Sequence, residues 1–204
     1  YMRREAVLFE NMRTEIASWD QNNEAVIYSR FNRASSFDRL AEGAPFNRSF
    51  RWTVANPKGQ ALLIHGLTDS PYSMKAMAKT LHARDFDITV LRLPGHGTLP
   101  SMMTEMTLRD WNAAVRIAAR DVASRPPAGQ PFYLAGHSTG GTLAMQYALD
   151  ALDDKSLRMP DRVLLLSPAI SITKVAVVAG FIDTLSVVPV PVLEKVRWVG
   201  VVPE

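Results

Sequence analysis

The residues best placed to do chemistry in this chain are Gly136-His137-Ser138-Thr139-Gly140-Gly141. A serine hydroxyl is a weak nucleophile until its surroundings activate it. The short apolar run Phe132-Tyr133-Leu134-Ala135 precedes this group, and Thr142-Leu143-Ala144-Met145-Gln146-Tyr147-Ala148-Leu149, rich in helix formers, follows it. A strand entering and a helix leaving would put Ser138 on a sharp, strained turn with its hydroxyl raised above the sheet edge. Gly136 and Gly140 lack the Cβ atoms that would collide where strand and helix cross. The helix start would also aim unpaired N–H groups and partial positive charge at Ser138. Those surroundings suit an oxyanion.

The elements that would position this turn can be read in order. Leu8, Met12, Ile16 and Trp19 recur at helical spacing from Glu5 to Trp19, which predicts an amphipathic helix. A short strand is expected at 25–28 and another at Phe50–Val54. Ala61-Leu62-Leu63-Ile64 reads as a strand buried on both faces, ending in His65-Gly66-Leu67-Thr68. Ser70 and Pro71 are suited to cap and open a helix bearing Met74, Met77, Ala78 and Leu81. Asp87–Leu93 forms the next strand, closed by Pro94-Gly95-His96-Gly97. Thr107 with Asp110 starts a helix carrying Trp111, Val115, Ala118 and Val122, which Arg125-Pro126-Pro127-Ala128-Gly129 stops. Val163-Leu164-Leu165-Leu166 is expected to be another buried strand. Strands alternating with helices imply a mainly parallel sheet covered on both faces, with functional loops at the carboxyl ends of the strands. His65-Gly66-Leu67, Pro94–Gly97 and Gly136–Gly141 all fall at such ends.

Composition narrows the function classes. The 204 residues suffice for one domain with a large core, and 47% hydrophobic with 21% charged residues is ordinary for a globular protein. A net charge of +3, dispersed along the chain, does not make a nucleic-acid surface. With no cysteine there is neither a disulfide framework nor a thiolate metal site. No metal or cofactor is expected. The apolar run Val175–Ile182 is well short of the ~20 residues that a transmembrane helix needs. Compartment is left open, as is a membrane surface as partner.

Three stretches together resemble the α/β-hydrolase superfamily, in its branch of monoacylglycerol lipases, lysophospholipases and carboxylesterases. They are Leu62-Leu63-Ile64-His65-Gly66-Leu67-Thr68, Arg92-Leu93-Pro94-Gly95-His96-Gly97 and Leu134-Ala135-Gly136-His137-Ser138-Thr139-Gly140-Gly141. The resemblance runs from about Arg51 to Ala169. It implies an α/β-hydrolase fold with Ser138 as nucleophile and the backbone N–H groups of Leu67 and Thr139 as oxyanion hole. It implies structural roles for His65, His96 and His137 as hydrogen-bonding members of their loops. His82, in a helix, reads as a surface residue.

One departure is large. In this fold the acid and the histidine of the triad follow the serine, and here all four histidines lie at or before position 137. The expectation is that the late strands, the acid and the base belong to a C-terminal part beyond residue 204, which would complete the site. The organisation then reads as an N-terminal helix and leading segment (1–49), a hydrolase core (50–170) and the start of a lid (171–204). An apolar lid favours an apolar acyl ester as substrate; the equal alternative is that these residues pack against the C-terminal part. The expected activity is hydrolysis of carboxylic esters (acylglycerol, lysophospholipid or simple ester) through an acyl-enzyme on Ser138. A prolyl-type serine aminopeptidase and a noncatalytic hydrolase-like binding protein are the alternatives.

Overall fold

The computed structural model describes residues 2–18, 47–98, 100–125 and 129–170. The expected strand at 25–28, Trp19, the helix-stopping residues 126–128 and the lid at 171–204 lie outside them. One compact unit spans Tyr1–Ala169, and Ile170–Glu204 form another.

Five strands form one sheet: β1 (Phe50–Trp52), β2 (Gly59–Ile64), β3 (Phe86–Leu91), β4 (Phe132–His137) and β5 (Arg162–Leu166), in the spatial order β1-β3-β2-β4-β5. All neighbours are parallel except β1, which runs antiparallel to β3. Parallel neighbours require crossovers, and these are α2 (Lys75–His82), α3 (Leu108–Ala123) and α4 (Thr139–Asp153). β2 lies between β3 and β4, with Ile64 opposite both Leu91 and Gly136. The carboxyl ends of the three strands therefore share one level.

Alternation along β2 sorts the core. Leu62 and Ile64 join Leu134, Val115, Leu143 and Tyr147 on the face covered by α3 and α4. Ala61 and Leu63 join Ile88, Val90, Met74 and Ala78 on the face covered by α2. Both faces are thus packed, as the continuous apolar run of β2 requires.

Three local expectations are corrected. β5 is not buried: Val163, Leu165 and Leu166 are 36–39% exposed. Among the described residues it has β4 on one side and no strand on the other. Ser70 makes no side-chain capping bond, and the segment it opens is a 3-10 turn, Pro71–Met74, that leads into α2. Among the side chains of α1 (Met2–Ala17) that are described, Glu5 and Phe9 are buried, whereas Leu8 is 55% exposed. The reason is Arg92, whose guanidinium pairs with Glu5 at 2.7 Å and lies 5.1 Å from the Phe9 ring centre. A buried cation, rather than apolar periodicity, selects the face of α1. The start of α3 is as expected: Thr107 and Asp110 form a reciprocal capping box.

Candidate active site

Ser138 occupies the junction of β4 and α4 with φ 51° and ψ −119°. A side chain on Cβ is crowded in that region of backbone space, which glycine normally occupies. The turn is held there from both ends. The Ser138 N–H donates to the Leu166 carbonyl at 2.9 Å. Its own carbonyl accepts from the N–H groups of Gly141 at 2.9 Å, Thr142 at 3.2 Å and Ala169 at 3.3 Å. Every backbone group of this residue is tied either to the helix start or to the end of β5. Its side chain is half-buried.

The flanking glycines are there for close approach. A Cβ on Gly136 would sit 2.5 Å from the Gly141 nitrogen, and one on Gly140 would sit 2.5 Å from the His65 carbonyl oxygen. The first start of α4 therefore rests directly on the carboxyl end of β2. Gly66 completes the turn region, since a Cβ there would lie 3.4 Å from the Ser138 Cβ. The Gly66-Leu67 turn thus runs beside the serine.

Of the two residues expected to supply oxyanion donors, Leu67 follows Gly66 after β2, and Thr139 takes the first position of α4 directly after Ser138. No hydrogen bond among the described residues occupies the N–H of either. For Thr139 this follows from its place in the helix, whose first N–H groups have no intrahelical acceptor and carry the positive end of the dipole. A half-exposed hydroxyl beside two unspent amides is an arrangement able to stabilise a developing alkoxide.

The four histidines take distinct places. His65 and His96 are buried and hydrogen-bonded within and between their loops. His82 lies at the surface, partly covered, with Nε2 3.3 Å from the Thr53 carbonyl and its ring edge-on to Trp52. His137 differs from expectation, because its ring makes no hydrogen bond among the described residues. Its Nδ1 instead packs where a Gly66 side chain would otherwise be. Sequence reasoning missed Trp111 and Arg92 as loop-holding residues: Trp111 Nε1 donates to the Pro94 carbonyl at 3.1 Å, and Arg92 Nη1 to the His96 carbonyl at 3.0 Å. Both read in sequence as ordinary members of a helix stripe and a strand end.

The shifted titrations belong to the helix layer. Burial pushes the Tyr147 hydroxyl up and the Arg125 guanidinium down. A groove of about 1060 Å³ runs between α1, α3 and the 92–95 turn, and neither Ser138, Leu67 nor Thr139 lines it. Among the described residues no group of three or more His, Asp or Glu could hold a metal, and no helix is long and apolar enough to cross a membrane.

Residues 61–201 match the alpha/beta hydrolase family. The chain is 34% identical over 87 residues to the thermostable monoacylglycerol lipase of Bacillus sp. (strain H-257), a match covering 43% of this chain and 34% of that protein. Its fold is similar to that in a structure described for LipS and LipT, two metagenome-derived lipolytic enzymes, at TM-score 0.58 and 23% identity. That match covers 70% of this chain and 54% of the other. Est1E from Butyrivibrio proteoclasticus with bound ferulic acid matches at TM-score 0.50 and 23% identity, over 63% of this chain and 51% of that one. The chain therefore spans about half the length of these solved relatives and about a third of the curated lipase. From Ala61 at the second strand through the Ser138 turn and beyond, the chain belongs to the alpha/beta hydrolase family.

Proposed function

We propose that this chain carries the nucleophile and oxyanion hole of a serine hydrolase acting on carboxylic esters with an apolar acyl group. The observation that carries the reading is the Ser138 turn: a strained, half-exposed serine at a helix start, beside two amides that no described residue engages. The name of the lipase related over 87 residues supports an acylglycerol-like ester as the substrate class.

In this reading the Ser138 Oγ attacks the acyl carbonyl carbon as a general base takes its proton. The carbonyl oxygen becomes an alkoxide that accepts hydrogen bonds from the Leu67 and Thr139 N–H groups. Each such donor is typically worth about 3 kcal/mol in the transition state. The base returns the proton to the departing alcohol, leaving an ester between Ser138 and the acyl group. Water, deprotonated by the same base, then releases the acid. All four histidines precede Ser138. The reading therefore assigns the base and its acid partner to a part of the protein beyond residue 204, consistent with a match to only 54% of a solved relative.

The test is a panel of p-nitrophenyl acyl esters set against amino-acid anilides, run on the full-length protein and on Ser138→Ala. Ester turnover that disappears in the variant is the expected result. Anilide turnover without ester turnover would favour the aminopeptidase, and no turnover of either would favour the noncatalytic protein.

A further inference from the structure

Two buried imidazoles bracket the peptide units on either side of Leu67. His65 follows β2 and exposes no surface. Its Nε2 receives the Leu93 N–H at 3.1 Å. A backbone N–H can only donate, so that nitrogen presents a lone pair and the ring proton sits on Nδ1. Nδ1–H then donates to the Gly66 carbonyl at 2.8 Å, an oxygen that also accepts from the Asp69 N–H at 3.3 Å. The Gly66 carbonyl and the Leu67 N–H are opposite ends of one planar peptide. Fixing the first aims the second.

His96, in the loop after β3, holds the next peptide. Its Nε2 lies 2.5 Å from the Leu67 carbonyl oxygen. Two lone pairs at that separation would repel, so Nε2 carries a proton and donates. Its Nδ1 lies 3.0 Å from the Pro94 carbonyl, which is likewise only an acceptor. In a neutral ring the single proton goes to the shorter Nε2 contact, and the Pro94 carbonyl is satisfied by the Trp111 indole N–H at 3.1 Å. The ring is 98% buried, with centroids 5.0 Å from His65 and 5.4 Å from Trp111. Leu67 itself is 44% exposed, so its side chain supplies little anchoring. The peptide that follows its amide is held by a hydrogen bond from a loop 29 residues away, and the peptide that carries its N–H is held by His65.

We propose that His96 is a positioning residue for the oxyanion hole: its Nε2–H holds the Leu67 carbonyl and fixes the peptide after Leu67, so that, with His65 fixing the peptide before it, the Leu67 N–H stays trained on the space above Ser138. The proposal rests on the ester-hydrolase reading. His96 touches no reacting atom and acts only through Leu67.

His96→Phe keeps a ring between His65 and Trp111 and removes the donor, while His96→Gln restores an N–H at similar reach. In the full-length protein, His96→Phe is expected to lower kcat on a p-nitrophenyl ester by about 10- to 100-fold, below the 10²–10³ for removing an oxyanion donor outright. KM should change less than about threefold, and His96→Gln should recover most of the loss. A folded His96→Phe with unchanged kcat, or a loss confined to KM, would overturn the proposal. Long-range ¹H–¹⁵N spectra of the wild-type imidazoles provide a readout independent of activity. They should show His96 Nε2 protonated and His65 Nε2 bare; a bare His96 Nε2 refutes the clamp even in an active esterase. A protein that hydrolyses no ester instead fails the underlying reading, and with it the role in catalysis, while the spectra still decide whether His96 holds Leu67.

Discussion

Gly140→Ala separates two physical accounts of the same residue, because they predict opposite signs. Gly140 lies in the first turn of α4, and by helix propensity alone alanine should stabilise it by about 1 kcal/mol. The packing says otherwise. The new Cβ would lie 2.5 Å from the His65 carbonyl oxygen, against roughly 3.3 Å for a relaxed carbon–oxygen contact. The obstructing atoms are the backbone of β2's end, where no side chain can rotate away, and that strand is buried on both faces. Overpacking of this kind typically costs about 1–3 kcal/mol, and a backbone-on-backbone contact belongs at the upper end. Setting about 3 kcal/mol of strain against about 1 kcal/mol of propensity leaves a net loss of about 2 kcal/mol. For a protein of this size that lowers Tm by about 4–8 °C. Thermal denaturation followed by circular dichroism reads this directly. A Gly140→Ala protein melting at or above the wild-type temperature would refute the close approach of α4 to β2 and, with it, the placing of Ser138 beside the Gly66-Leu67 turn.

Three further outcomes follow from the same contacts. Ser138→Gly should relieve about 1–3 kcal/mol of backbone strain, less about 0.5–1 kcal/mol for glycine's greater freedom when unfolded, so chemical denaturation should show a more stable protein even though the proposed nucleophile is gone. Glu5→Ala leaves the Arg92 guanidinium buried with only the His96 carbonyl as a described polar partner, and should cost about 3 kcal/mol in urea denaturation. The hydrogen bonds from the Thr107 hydroxyl and N–H hold the Asp110 carboxyl below its ordinary value of 3.8. A lowered folded-state value makes the stabilisation complete above that ordinary value and removes it as pH falls through the lowered one. The stability difference between wild type and Asp110→Asn should accordingly be largest near neutral pH and shrink in acid.

Much of the site was legible in the sequence because its constraints are local. A serine flanked by glycines two residues to either side, between a strand run and a helix run, needs only neighbouring residues to be recognised. The His65-Gly66 and Pro94–Gly97 turns were legible because each directly ends an apolar run. What could not be read depends on partners distant in the chain. The tautomer of His65 is decided by the Leu93 N–H, 28 residues on. The buried face of α1 is decided by Arg92, 87 residues from Glu5, which is why Leu8 faces solvent against its helical spacing.

The central claim is that the Ser138 hydroxyl is an activated nucleophile. Its most direct test is to treat the full-length protein with a fluorophosphonate and map the adduct by mass spectrometry. The account predicts one phosphonyl group per protein, on the peptide containing Ser138, and none in Ser138→Ala. An unmodified wild-type protein, or an adduct that persists in the variant, would contradict it.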